Sequence, residues 1–185
     1  MVIDRDFFRR DTLTAARELI GCVLVRSAPW GEARGIIVET EAYLGRKDAA
    51  AHSYKGKTER VRVLYGEKGM AYIYLIYGMY NCLNISSGSS PEPECILIRA
   101  LEPLPPTEAM ERRRKSAKPK NLCMALDIDR GLYGADMCSA ESPLYIEYAE
   151  PLETEASPRI GVDYAGKDAL LPYRFTAKGS KFLSK

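Results

Sequence analysis

A single histidine, His52, and five cysteines are all the imidazole and thiol groups this 185-residue chain offers. The cysteines (Cys22, Cys82, Cys95, Cys123 and Cys138) are odd in number and never spaced C-x-x-C. That pattern argues against a zinc site or a disulfide framework, and a reducing compartment fits it best. The same scarcity excludes a histidine-based metal centre or triad, so neither a metal nor a cofactor is expected. Tryptophan occurs once, in the turn-like "APWGEA", which leaves little platform for a sugar. No apolar run approaches the roughly 20 residues that a membrane-spanning helix needs. The opening "MVIDRDFFRRDTL" has acids and no apolar block, so a secretory signal is not expected. No repeat or low-complexity linker breaks the chain, and one domain over residues 1–185 is expected, large enough for a substantial core.

Charge is present and unevenly placed. Residues 112–120, "RRRKSAKPK", hold six Lys/Arg and no acid. Residues 46–68 hold seven bases against three acids, a local +4. With a net charge of +2 for the whole chain, these clusters leave −8 elsewhere. Either cluster alone reads as a solvated loop or helix end. Two on an otherwise acidic chain point to contact with phosphates.

The hydrophobic periods suggest the elements. A short helix is expected from Asp11, a good N-cap, with Leu13, Ala16 and Ile20 on one face and Gly21 closing it. "CVLV" (22–25), "GIIVETEAY" (35–43), "MAYIYLIY", "NCLNIS" and "CILIRALEP" (95–103) read as strands, with "YGMY" as a hairpin tip. Residues 44–69 form a long loop of the kind that usually carries function. Helices are expected through "TEAMERRRKS" and "NLCMALDI", and late strands at "PLYIEYAE" and "YRFTAK". The fold class is mixed α/β, with antiparallel sheet and helices around it.

Three features invite chemistry. Alternation puts Ile37, Glu39, Glu41 and Tyr43 on one face of a strand. A glutamate crowded there against another is poised for proton transfer, because one pKa tends to rise; the alternative is two solvated acids. Arg99, amid Ile, Leu and Ala, must find an anion or carbonyls, since burying it unpaired is costly. An ion pair and a catalytic role coincide if its partner is Glu41. His52 is either a surface residue or one side of an aromatic slot with Tyr43. The tyrosines of "AYIYLIYGMYNCLNIS" suit a core, a protein interface, or a surface that stacks on bases. The basic clusters favour the last.

Taken together, "VETEAYLG", "AAHS" with its histidine eleven residues beyond Glu41, "YIYLIYGMYNCLNIS" and "ILIRALEP" resemble the alkyladenine (3-methyladenine) DNA glycosylase family. The likeness is densest from Ile36 to Pro103 and continues through "LCMALDI" and "PRIGVDYAG…PYRF". The helix-hairpin-helix class of alkyl-purine glycosylases is not suggested. The resemblance implies a curved antiparallel β-sheet with surrounding helices and a protruding β-hairpin. It implies Glu41 as the group that positions and deprotonates water, with Arg99 and the main-chain carbonyl at Ile160 completing the water's shell. It implies Tyr43, His52 and Tyr74 as the slot for a flipped base, and Asn84 as the side chain that crowds the exocyclic amine of guanine. Tyr77 matches the residue that enters the minor groove, flanked by Met79 and Tyr80.

The expected reaction is excision of alkylated or deaminated purines from double-stranded DNA, by a monomer and without lyase activity. The enzyme would work in the cytoplasm with the nucleoid if prokaryotic, or in the nucleus if eukaryotic. Val61 and Val63, and Lys120 with Asn121, depart from the family pattern and bear on the phosphate grip. A non-catalytic DNA-binding module and a carbohydrate glycosidase using Glu39 and Glu41 are the alternatives.

Overall fold

A computed structural model of the chain describes residues 1–104 and 122–184. Two short helices open it. In α1, Arg5–Arg9, the Asp4 side chain accepts from the Phe7 N–H; in α2, Thr12–Glu18, Asp11 accepts from the Thr14 N–H at 2.8 Å. Gly21 stops the run with φ +109°, and a Cβ there would meet the Glu150 carbonyl at 2.7 Å. The Asp11 helix is as the sequence predicts. The first helix has no long apolar period and goes unnoticed in the sequence.

The strands are β1 (Val23–Ala28), β2 (Gly31–Tyr43), β3 (Ala71–Ile76), β4 (Tyr80–Ser87), β5 (Glu94–Pro103), β6 (Leu144–Glu147), β7 (Thr154–Ser157) and β8 (Arg174–Ala177). Together they make one strongly curled antiparallel sheet in the order β3-β4-β5-β2-β1-β6. The 13-residue β2 is its spine: one edge takes β5, the other takes β1 and then β8. The β2–β5 register shifts on either side of Glu39, a bulge of the kind that bends a strand and re-aims side chains. The expected turn "APWGEA" shrinks to Pro29–Trp30, because Ala28 already pairs with Gly31.

The core lies between this sheet and the helices, with Phe8, Leu19, Ile20, Leu24, Ile37, Leu83, Ile85 and Phe175 almost fully buried. Thr40 ties β2 to α2 by donating to the Ala16 carbonyl at 2.8 Å. The long 44–69 loop contains two 3-10 stretches, Gly45–Lys47 and Glu59–Tyr65. Of "NLCMALDI", one helical turn, α3 (Leu122–Ala125), is present. The expected helix through "TEAMERRRKS" and the basic run 112–120 lie outside the described residues.

Candidate active site

Strand β2 carries both glutamates to the bottom of the site, where each is fully buried (0% exposed). Arg99 reaches both from β5: its Nε donates to Glu39 Oε1 at 3.0 Å, and its Nη1 lies 3.3 Å from Glu41 Oε1. The ion pair inferred from the sequence therefore exists, and Glu41 is one of its partners. Glu39 also accepts from Arg174 Nε at 2.8 Å, from the Ser184 N–H at 2.6 Å and from the Ser184 hydroxyl at 2.7 Å. Burial pushes the Glu39 pKa up, but the Ser184 donors and Arg174 outweigh it and hold the carboxyl below its usual range. The raised pKa that crowding suggests from the sequence is thus overturned at Glu39, because four donors converge on it.

Glu41 is held differently. Its Oε2 accepts from the Tyr43 hydroxyl at 2.7 Å, and its Oε1 from the Ile160 N–H at 2.9 Å. Burial and the neighbouring Glu41 charge push the Tyr43 pKa far up, so the phenol remains a donor. Ile160 is steadied by its neighbour Arg159, whose guanidinium pairs with the buried Asp48, donates to the Ala42 carbonyl at 2.9 Å, and sits 4.8 Å over the Tyr43 ring. The contact that residue 160 makes is its N–H on the glutamate, where the resemblance implies its carbonyl.

Above the carboxylate stands an aromatic wall. His52 Nδ1 is 2.9 Å from the Tyr72 hydroxyl, and its ring meets that of Tyr74 edge to face at 4.5 Å. His52 remains open to solvent, yet burial among its neighbours and then the charge of Arg60 push its pKa down to about 4. The exposed edge tempers that drop, and the ring is neutral at pH 7 either way. Arg60 stacks over the Tyr74 ring at 4.9 Å. Asn84, buried opposite Tyr72, donates its amide to the Tyr72 carbonyl at 3.1 Å.

The β3–β4 hairpin extends beyond this wall. Tyr77 and Gly78 both have positive φ (52° and 69°), and the Met79 N–H donates to the Ile76 carbonyl at 3.2 Å. A bulky residue in the left-handed region is uncommon and costs about 1–2 kcal/mol. The conformation aims Tyr77 outward, 84% exposed, with Met79 67% and Tyr80 37% exposed beside it. At the hairpin's base an open groove of about 580 Å³ is lined by Arg60, Arg62, Arg130, Tyr74 and Tyr133 among others.

A profile of the methylpurine-DNA glycosylase family matches residues 6–181. The chain belongs to that family. It is therefore a DNA glycosylase directed at alkylated bases, an enzyme that hydrolyses N-glycosidic bonds, with DNA as its substrate. Among its relatives, a protein of Methanocella arvoryzae is 49% identical over 100% of this chain and 96% of its own length. One of Clostridium perfringens is 42% identical over the full length of both, and one of Bacillus licheniformis 40% over 97% and 95%. All three are named as candidate 3-methyladenine DNA glycosylases. Among the described residues, no helix is long and apolar enough to cross a membrane.

Within this glycosylase the fold unites Glu41, Tyr43, Arg99 and Ile160, and sets His52 against Tyr74. Tyr77, Met79 and Tyr80 stand apart at the hairpin tip. Val61 is buried with Leu64 against Tyr72, and Val63 packs beside them. Lys120 and Asn121 lie outside the described residues. Sequence reasoning missed Tyr72, Arg159, Arg174 and Ser184. Arg159 had a local signal, a lone cation beside Ile160; Ser184, 145 residues from Glu39, had none.

Proposed function

We propose that the chain releases alkylated or deaminated purines (the 3-methyladenine, 7-methylguanine, hypoxanthine and ethenoadenine class) from duplex DNA, leaving an abasic site. Water is the nucleophile, and no lyase step follows. One observation carries this reading: Glu41 is fully buried and held by the Tyr43 hydroxyl, the Ile160 N–H and Arg99. The Tyr43 hydroxyl and the Ile160 N–H take two of a carboxylate's roughly four acceptor positions and Arg99 stands 3.3 Å away as an ion pair, which leaves capacity for a water.

A base within the stack hides its C1′, so the nucleotide must swing out at a cost of a few kcal/mol. Tyr77 fills the gap it leaves, flanked by Met79 and Tyr80. His52 and Tyr74, at 4.5 Å, are too close to admit a base between them. They act as one wall, and Tyr43 is the facing one. Stacking there returns about 1–3 kcal/mol. A purine alkylated at N3 or N7 is cationic, and electron-rich rings welcome it. The neutral His52 adds no repelling charge. Asn84, fixed on the Tyr72 carbonyl, crowds the exocyclic amine of guanine and spares the normal base.

In the chemical step the water oxygen bonds to C1′ as the bond from C1′ to the purine nitrogen breaks. Glu41 takes the water's proton, and the purine leaves with the bonding electrons, a cationic purine departing neutral. The attack on the face opposite the leaving group follows the logic of inverting glycosidases. Lys68, the buried lysine of this region, donates to the Leu64 and Glu92 carbonyls at 2.9 and 2.6 Å and is no candidate for a Schiff base. A monomer acting on nucleoid DNA in the cytoplasm suits the archaeal and bacterial relatives.

The test is incubation with duplexes carrying hypoxanthine or 3-methyladenine, and with the undamaged duplex, followed by cleavage at abasic sites and borohydride trapping. Abasic sites in the damaged strands without a trapped adduct are expected. A trapped adduct contradicts the water mechanism, and binding without base release leaves a DNA-binding module.

A further inference from the structure

We propose that Glu39 is a positioning residue for base excision, holding the Arg99 guanidinium in place against Glu41, and that Ser184 locks it there. The proposal rests on the reading of Glu41 as the water-activating group.

Glu39 is engaged by the protein itself. Its Oε1 accepts from Arg99, Arg174 and the Ser184 hydroxyl, and its Oε2 from the Ser184 N–H, so four donors of the fold converge on it. Its contacts define Arg99. A guanidinium is a rigid plane, so fixing its Nε edge fixes where the Nη atoms point. Glu39 grips Nε at 3.0 Å, and the Ser184 hydroxyl accepts from the same Nε at 3.1 Å while donating to Glu39. That closed triangle leaves Nη1 at 3.3 Å from Glu41, longer than the usual charge-assisted contact.

The charges explain why the longer distance matters. Two carboxylates and two guanidiniums, those of Arg99 and Arg174, balance within the cluster. Without Glu39, Arg99 would keep Glu41 as its ion-pair partner and would close on it. Glu41 would then hold its electrons too tightly to take a proton from water, and the position left for that water would be covered. A segment 145 residues away in sequence thereby belongs to the active site's support.

The test is single-turnover base release from a damaged duplex, with binding to that duplex measured alongside. Glu39→Gln is expected to slow release about 100-fold, as a misplaced catalytic group does, with binding retained. Ser184→Ala, which removes one hydroxyl and keeps the N–H, is expected to slow it about tenfold and covers the case in which Glu39→Gln fails to fold. The deciding arm repeats Ser184→Ala in an Arg99→Gln background, where less than about twofold further loss is expected because the relay is already cut. An equal loss in both backgrounds, or a loss that follows binding or melting temperature, would mean a structural role only and overturn the proposal. Glu41→Gln separates the two layers. If it still releases base, the reading of Glu41 has failed and the relay with it; if it is inactive while Ser184→Ala is at full rate, the relay alone is wrong.

Discussion

At Tyr77 the demands of folding and of function diverge. Its ring is 84% exposed and its φ of 52° is unfavourable for any residue with a Cβ. The Met79 N–H bond to the Ile76 carbonyl offsets part of that strain by closing the hairpin, while the outward ring itself is left for a partner such as DNA. Tyr77→Gly is expected to raise the melting temperature by about 2–4 °C, since relieving about 1 kcal/mol does so in a protein of this size. The same variant should lose the stacking contribution of about 1–3 kcal/mol to the extruded state, and base release should slow accordingly. Calorimetry and single-turnover kinetics on one preparation check both halves. His52 gives a pH test. Its folded pKa is pushed below the ordinary 6.5, towards about 4 and less far for its exposed edge, so the unfolded chain binds more protons below pH 6.5. Stability is therefore full above about pH 6.5 and falls as pH drops towards 4. Urea titrations of His52→Gln should show a shallower fall across that window than the parent.

Among the elements, β2 organises the site, and its neighbours hold it by contacts distant in sequence. The Asp48–Arg159 pair, 1% and 0% exposed, ties the long loop to the segment that presents Ile160. Asp48→Ala leaves the Arg159 charge buried without its partner and is expected to cost about 3–5 kcal/mol. Denaturant unfolding measures that cost, and base release should fall further as the Ile160 N–H leaves Glu41. This level also explains what the sequence revealed. Strands β2 to β5 are legible because their β-branched and aromatic runs have clear ends. The left-handed hairpin tip is legible from the glycine in "YGMY". Arg99 stood out as a charge among apolar neighbours, where burial forces a partner, whereas the choice of Glu41 over Glu39 came from the family resemblance alone. Strand β7 was missed because "TEAS" is short and mostly exposed, with no apolar alternation. The Glu39 hub was missed because Arg174 and Ser184 reach it only after the sheet has curled. A strand's own sequence shows that a charge is buried and leaves its distant partners unstated.

Across the whole molecule, the groove at the hairpin base gathers three arginines, with Glu59 among them. Arg60, Arg62 and Arg130 line the open side between the pocket wall and the hairpin base. If this face follows the DNA backbone, each phosphate contact adds about −0.9 to the slope of log affinity against log salt. The double variant Arg62→Ala with Arg130→Ala is expected to flatten that slope by about 2 and to leave base release at saturating enzyme near the parent rate. Titrations of a fluorescent duplex across salt concentrations read the slope directly. On the proposed reading the separation of roles is molecular in scale: the arginine-lined groove would meet the duplex, the hairpin would hold it open, and the buried carboxylate would activate the water.

The central claim rests on that carboxylate. Glu41→Gln changes one oxygen for an amide nitrogen, keeps the side chain's size, and removes the ability to take a proton from water. The decisive measurement is binding and single-turnover base release by this variant on the damaged duplex that the parent cleaves fastest. Parent-like binding with release slowed at least about 100-fold, in the range that general-base catalysis supplies, is the expected result. Release at the parent rate would contradict the account.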